Sequence, residues 1–160
     1  MIRLLGIGMI AVSTAVFGIS YASSLYHELR VLRAFWHLTE RIRSRIECFC
    51  QPLSDIYPGF SDPTLEACGF TEELQRSGFT VALCKCKGAL GLRPAYFAML
   101  AEYGEGLGKS FAEEQLRHCQ KYQKELENAV KHLEEELPTR AKLIRTLSLA
   151  VAAMAVILLL

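Results

Sequence analysis

A glycine-rich stretch two-thirds of the way along the chain has the residue types of a phosphate-binding loop. It reads Gly104-Glu105-Gly106-Leu107-Gly108-Lys109-Ser110, and in such loops glycines free backbone N–H groups to cradle phosphates while a lysine reaches them. The pattern G-x-x-x-x-G-K-S/T, however, needs glycine where Tyr103 stands, and the loop should follow a strand rather than the helix predicted here. A turn between two packed helices explains the same residues. We therefore expect Gly104, Gly106, Leu107, Gly108 and Ser110 to form an interhelical turn, with no cofactor and no small-molecule substrate.

The six cysteines include two Cys-x-Cys pairs, Cys48/Cys50 and Cys84/Cys86. Such pairs could supply thiolates to a metal ion. Residues two apart on a helix point to nearly opposite sides, so neither pair can chelate one ion unless its helix has ended. Cysteine is also among the residues most often buried, and a cytoplasmic domain keeps its thiols reduced. The pattern favours reduced core cysteines; a membrane-anchored metal-binding or redox-sensing protein is the alternative function.

Catalysis and nucleic-acid binding have little support. The four histidines, His27, His37, His118 and His132, all fall on predicted helices without a nearby nucleophile motif. The formal net charge is +1, with 18 basic residues interspersed among 17 acidic ones, which gives no reason to expect a nucleic-acid partner. We therefore expect a protein that is not an enzyme.

The last third of the chain is predicted to be one long helix. Ser110 and Glu113 have the spacing of a capping box, so the helix should begin at about Ser110. Pro138 should bend it, because proline removes one backbone hydrogen bond. Its apolar seam follows alternating steps of three and four: Leu116, Cys119, Gln123, Leu126, Val130, Leu133 and Leu137.

A second long helix should open the chain and pack antiparallel to the last one. Its seam is near-heptad: Leu25, Leu29, Leu32, Trp36, Thr39, Ile42, Ile46 and Phe49. It should end at Cys50-Gln51-Pro52, because the residue before a proline disfavours helical geometry. Shorter helices should follow over Pro52 to Ile56, Thr64 to Ser77, Thr80 to Leu90 and Pro94 to Tyr103, with Asp62 as N-cap before Pro63. No segment alternates like a strand.

Both ends of the chain are predicted to cross a membrane. Residues 2–22 contain one charge, Arg3, and residues 146–160 contain none, whereas about 20 apolar residues span a bilayer as a helix. The first segment carries a face of small residues that suits close helix packing in lipid: Gly8, Ala11, Ala15, Gly18 and Ala22. Every other Lys and Arg lies between residues 27 and 145, so the middle of the chain should be cytoplasmic. The predicted fold is all-α, a cytoplasmic helical bundle at residues 25–145 bracketed by two transmembrane helices.

A cleaved signal peptide is the rival interpretation of the first segment. Ser20 and Ala22 have the small-x-small form of a cleavage site. The strongly basic stretch that follows opposes export, so the sequence favours a retained transmembrane helix.

Several short motifs resemble the stage III sporulation protein AB family of endospore-forming bacteria. They run nearly end to end: Gly18 and Ala22 in the first apolar segment, Leu29-Arg30-x-Leu32-Arg33, Pro52-Leu53, Tyr103-Gly104-x-x-Leu107-Gly108-x-Ser110, Lys142-Leu143-Ile144-Arg145-x-Leu147, and the terminal Val156-Ile157-Leu158-Leu159-Leu160. Pro138 departs from the family's uninterrupted charged helix, and the cysteine-rich middle is also unusual for it.

The resemblance implies a structural role. Such proteins look like the inner-membrane platform subunit of type II secretion and type IV pilus machines, whose helical cytoplasmic domain meets a secretion-type ATPase. The implied partners are the other stage III sporulation complex proteins, in particular the ATPase, stage III sporulation protein AA, with the chain acting as an oligomer in that complex. The implied location is the mother-cell membrane around the forespore.

Overall fold

The computed structural model describes the backbone of residues 2–49 and 51–159. Side chains are described for residues 23–24, 26–49, 51–140, 142–144, 146–147, 150–151 and 154. Over this part of the chain the secondary structure is helical without a strand, as the sequence predicts. The helices are α1 (Ile2–Phe49), α2 (Leu53–Ile56), α3 (Pro63–Ala67), α4 (Phe70–Ser77), α5 (Phe79–Lys85), α6 (Lys87–Leu90), α7 (Pro94–Gly106) and α8 (Ala112–Leu159), with a 3-10 turn at Tyr57–Gly59.

Helix α1 buries a broader face than the predicted seam. Five seam residues are buried: Leu29, Leu32, Thr39, Ile42 and Ile46. Trp36 is only partly buried and Phe49 is 64% exposed, while Val31, Phe35 and Leu38 are fully buried. Phe70 of α4 and Phe79 of α5 pack against Phe35 of α1, so the apolar surface of α1 extends beyond one coiled-coil stripe.

The middle of the chain divides into shorter helices than predicted. Asp62 is the N-cap of α3, accepting hydrogen bonds from the N–H groups of Thr64 and Leu65 at 2.8 and 3.3 Å. The predicted single helix from Thr64 to Ser77 is wrong, because the chain turns at Gly69, whose φ is 72°. That left-handed conformation ends α3 and turns the chain so that Phe70 and Leu74 of α4 become buried.

A similar break divides the next predicted helix, Thr80 to Leu90. Helix α5 ends at Lys85 and α6 begins at Lys87, with Cys86 between them at φ −90° and ψ 6°. Helix α7 starts at Pro94 as predicted and runs three residues past Tyr103 to Gly106.

The start of α8 also differs from the prediction. It begins at Ala112, so Ser110 lies before the N-cap and does not form the predicted capping box with Glu113. The helix is continuous through Pro138. Cys119, Leu126, Leu133 and Leu137 of the predicted seam are buried, but Gln115 and Tyr122 are buried too, whereas Leu116, Gln123 and Val130 are partly exposed.

The chain forms two compact units, one comprising Met1–His27 with Leu133–Leu160 and the other Glu28–His132. Phe35, Phe70 and Phe79 meet edge to face at the centre of the second unit, with ring centroids 4.9 to 6.0 Å apart. In this unit parts of α1 and α8 share neighbours. Ile46 near the end of α1 and Gln115 near the start of α8 line one groove, while Thr39 and Cys119, farther from that groove, both interact with Tyr103.

Within the residues whose side chains are described, no helix has an apolar stretch long enough to cross a membrane. The predicted span at residues 2–22 lies outside those side chains, as does most of the predicted span at residues 146–160. The small-residue face falls on the first of these segments, so Gly8, Ala11, Ala15, Gly18 and Ala22 are also outside the described side chains.

Candidate functional site

The glycine-rich stretch forms the connection between α7 and α8, here called the corner and defined as residues 103–115. Gly104 is buried at the end of α7. A Cβ atom there would lie 2.5 Å from Cδ1 of Phe79 and 3.0 Å from Oγ1 of Thr80. A Cβ on Gly106 would overlap the ring of His118. Both glycines therefore allow α5 and α8 to approach the end of α7 more closely than any other residue would.

Gly108 has a different role in the same turn. Its φ is 77°, in the left-handed region, and its N–H donates a 2.9 Å hydrogen bond to Oε1 of Gln115. Gln115 reaches back from the first turn of α8 to the preceding loop, where the sequence predicted that Ser110 would cap the helix. Ser110 is exposed, and Leu107 is partly buried as the C-cap of α7.

The rings beneath the corner are packed around Tyr103, which is fully buried. Its ring stacks on His118 at 5.5 Å between centroids and contacts Tyr122 at 5.5 Å and Phe79 at 5.4 Å. His118 Nε2 lies 2.9 Å from the Tyr103 carbonyl oxygen, so in the tautomer that protonates Nε2 it donates to that carbonyl. This carbonyl belongs to the last turn of α7, where backbone acceptors lack helical partners. His118, on α8, therefore supplies a hydrogen-bond donor to the end of α7.

The buried tyrosines and Cys119 beneath the corner are uncharged at neutral pH. Burial raises the pKa of Tyr103 well above its usual range, and the neighbouring Cys119 adds to the shift. Burial also raises the pKa of Tyr57 and of Tyr122 to about 12. The Cys119 thiol lies 3.7 Å from the Tyr103 hydroxyl, and burial raises the pKa of this thiol although its interactions with Tyr103 and Gln115 oppose the shift. Since the thiolate is the nucleophilic form, the cluster is suited to packing rather than to nucleophilic chemistry.

A groove lies beside the corner, with an accessible volume of about 380 Å³. The end of α1, the α1–α2 connection and the start of α8 form its walls. Its lining residues are Ile46, Gln51, Pro52, Leu53, Ser54, Gly108, Ser110, Ala112 and Gln115. Phe111 sits between two of these lining residues and is 88% exposed. An apolar groove and an exposed aromatic ring therefore lie next to each other at the corner.

The cysteines do not form a common site within the described part of the chain. Cys84 lies on α5 and is exposed, whereas Cys86 lies between α5 and α6 and is buried. Cys119 is buried as predicted, whereas Cys48 is exposed and Cys68 is partly exposed, which the sequence did not predict. Cys50 lies outside the described residues. Among the described residues no group of three or more His, Cys, Asp or Glu side chains could hold a metal ion.

Three residues that shape the corner were not identified from the sequence: Gln115, His118 and Phe111. A polar glutamine on the inner face of a helix and a phenylalanine directly before a helix start both differ from the usual pattern. The sequence analysis did not use these two features, because the predicted capping box placed the helix start at Ser110.

Comparison with known proteins gives one family. The family model for stage III sporulation protein AB matches residues 3–160, whereas no curated protein and no solved structure matches the chain. Since the match runs over nearly the whole chain and includes the corner, the chain belongs to the stage III sporulation protein AB family and has a role in sporulation.

Proposed function

We propose that the chain is a non-enzymatic platform subunit of the channel complex that joins mother cell and forespore. The observation that carries the proposal is the family match over residues 3–160. The neutral, tightly packed cluster under the corner supports a structural role, because its tyrosines and Cys119 hold their protons at neutral pH. In this proposal the chain binds neither nucleic acid nor a small-molecule substrate.

The two chain ends are proposed to anchor the protein in the mother-cell membrane around the forespore. Residues 2–22 and 146–160 contain only one charged side chain between them, and both segments belong to the same compact unit. Four apolar side chains within the second segment or just before it are exposed and follow one another at steps of three and four: Leu143, Leu147, Val151 and Met154. Such a row on one helix face suits lipid or another helix in the membrane.

The C-terminal span would be short. Residues 146–160 give about 22 Å of helix at 1.5 Å per residue, against a hydrocarbon core of about 30 Å. Charged side chains at the start of a span can extend toward the headgroups, which lets Leu143 and Ile144 add apolar length, and the membrane can thin locally.

The helical domain, residues 25–145, is proposed to be cytoplasmic and to dock the secretion-type ATPase, stage III sporulation protein AA. It would do so as an oligomer together with other stage III sporulation complex proteins. The support is the resemblance of this family to secretion platform proteins, whose helical domains meet such an ATPase. In this arrangement the membrane ends hold the helical domain at the membrane surface, where a soluble ATPase can reach it.

The membrane part is tested by labelling the full chain in cells. In a cysteine-free variant, single cysteines introduced at residue 2 and at residue 109 should react with an impermeant thiol reagent from opposite sides of the membrane. Deleting Leu158–Leu160 should abolish sporulation, whereas replacing them by three isoleucines, which keeps the length and apolarity, should preserve it. Labelling of both positions from the same side would contradict the two-span arrangement.

The partner is tested by co-purification of the full chain with the ATPase from membranes. We expect the ATPase to be retained by the full chain and by the three-isoleucine variant, and to be lost from the membrane when the chain is absent. An ATPase that reaches the membrane equally well without the chain would contradict docking.

A further inference from the structure

The groove beside the corner is mostly apolar but contains one buried polar group without a partner. Ile46, Leu53 and Pro52 supply carbon surface. Gln115 is only 5% exposed; its Oε1 accepts from Gly108, while its Nε2 forms no hydrogen bond with the described residues. The Cys119 thiol interacts with this side chain, but sulfur is a weak acceptor. Because a buried N–H without an acceptor is unfavourable, the groove favours an occupant that brings both apolar surface and a carbonyl oxygen.

The chain itself carries such an occupant on the rim of the groove. Phe111 is 88% exposed, and it lies in a loop that separates the last residue of α7 from the first residue of α8. Large aromatic rings are usually buried because they have much apolar surface. A phenylalanine held outside its own groove supplies the apolar surface that the groove favours. The carbonyl of Phe111 accepts from the Gln115 N–H at 2.9 Å, so the carbonyl oxygen must come from another residue of the same loop.

The charges around Phe111 are also self-complementary. Lys109 precedes it and Glu114 follows it, and both are exposed. Glu113 is paired with Arg117 at 2.5 Å, whereas Lys109 and Glu114 have no ion-pair partner among the described residues. A surface with one free charge of each sign around a central ring does not favour a strongly acidic or a strongly basic partner. It does match a second copy of itself, rotated so that opposite charges meet.

We propose that the corner is a self-association surface, in which Phe111 of each of two copies enters the groove of the other. A two-fold pair requires that one surface contain both the projecting part and its receptor, and here the ring and the groove occupy neighbouring positions. Lys109 of each copy then faces Glu114 of the other. This surface rests on the oligomer of the proposed function, for which it provides the contact, and it does not depend on docking of the ATPase.

The test is sedimentation equilibrium of the full chain in density-matched detergent over a range of protein concentrations. The wild-type chain should associate to a dimer or to a multiple of it. Phe111→Ala should raise the dissociation constant roughly thirtyfold, as expected for a central aromatic residue in an interface. Val81→Ala removes another exposed apolar side chain, 45% exposed on α5, and should leave association unchanged. All three proteins should keep the same helical circular dichroism.

Charge reversal gives a second measurement that does not depend on the ring. Lys109→Glu alone and Glu114→Lys alone should each weaken association a few-fold, because each places like charges opposite one another. The double variant should regain most of the wild-type affinity, since the opposite charges meet again with their positions exchanged. Both residues are exposed, so the three variants should fold equally well.

Two results would overturn the proposal. One is a wild-type chain that stays monomeric at all concentrations. The other is a Phe111→Ala chain that associates as strongly as the wild type. If Phe111→Ala instead weakens binding of the ATPase while self-association is unchanged, the groove receives the ATPase and the second-copy proposal is wrong. Conversely, self-association that depends on Phe111 would stand even if the ATPase does not bind.

Discussion

Glycines in the corner and glycines between α3 and α6 are needed for different physical reasons. At Gly104 and Gly106 a Cβ atom would overlap packed rings, Phe79 in one case and His118 in the other. At Gly69 and Gly78 no atom lies within 4 Å of the position that a Cβ would take, but φ is 72° and 80°. The corner therefore uses glycine for close packing, and the short helices use it for chain reversal. The first requirement depends on neighbours distant in sequence, and the second on the local backbone.

Replacing Gly104 by alanine should have the largest effect. The new Cβ would displace Phe79, which is 4% exposed and fixed by contacts with Phe35, Phe70 and Tyr103. We expect a loss of about 3 kcal/mol in the free energy of unfolding, at the upper end for overpacking of a core. Urea unfolding of the full chain in detergent, followed by the fluorescence of Trp36, the single tryptophan, measures it.

A compensating change separates overpacking from a loss of backbone freedom. In the Gly104→Ala background, Phe79→Leu removes the ring atoms that clash and should recover part of the stability, although Phe79→Leu alone should be destabilising. If the double variant is less stable than either single variant, the close approach to Phe79 is not the reason for the glycine.

The fold should also be lost at alkaline pH, because three of its tyrosines are buried. Burial raises the pKa of Tyr57 and Tyr122 to about 12, and it raises the pKa of Tyr103 well above its usual range. Between pH 10 and 12 the unfolded chain therefore releases phenolic protons that the folded chain retains, so stability falls as pH rises through this range. Absorbance at about 295 nm, which follows tyrosinate, should rise together with the loss of the near-ultraviolet circular dichroism signal.

Tyrosines that ionise near pH 10 while the fold stays intact would contradict this prediction. Tyr122→Phe is the matched variant. It removes one shifted hydroxyl but keeps the ring contacts with Tyr103 and His118, so it should move the alkaline transition to higher pH.

Gly69→Ala should be destabilising by a smaller amount, roughly 1 kcal/mol. Its Cβ would meet no neighbouring atom, so the cost comes only from the left-handed backbone conformation. Gly69→Asn should cost less, because asparagine tolerates that conformation better than alanine does. The same urea titration distinguishes them, and equal losses for alanine and asparagine would point to a packing defect instead.

The sequence predicted what local residues determine and missed what distant packing determines. Pro52, Pro94 and the Asp62–Pro63 pair marked helix ends correctly, because proline and N-cap residues act within one turn. The breaks at Gly69 and Cys86 were missed: single residues inside apolar patterns do not show where the chain must turn to bury Phe70 and Leu90. In the corner, the glycines themselves were enough to predict a turn between two helices. The residues that pack against them, Phe79 and His118, were not predicted. The spacing of apolar residues within one segment does not show which aromatic rings of another segment will contact it.

Gly88→Ala is the prediction with the smallest expected effect, and it has the opposite sign. Gly88 lies inside α6, is exposed, has no atom within 4 Å of a Cβ position, and its φ is not positive. Neither requirement identified at the other glycines applies to it. Alanine should therefore stabilise the chain by roughly 0.5 to 1 kcal/mol, because it restricts the unfolded chain and favours the helix. An increase in the urea midpoint without a change in the slope would show this. A decrease would mean that this glycine has a contact or a conformation that neither class explains, and the division into packing and backbone glycines would then be incomplete.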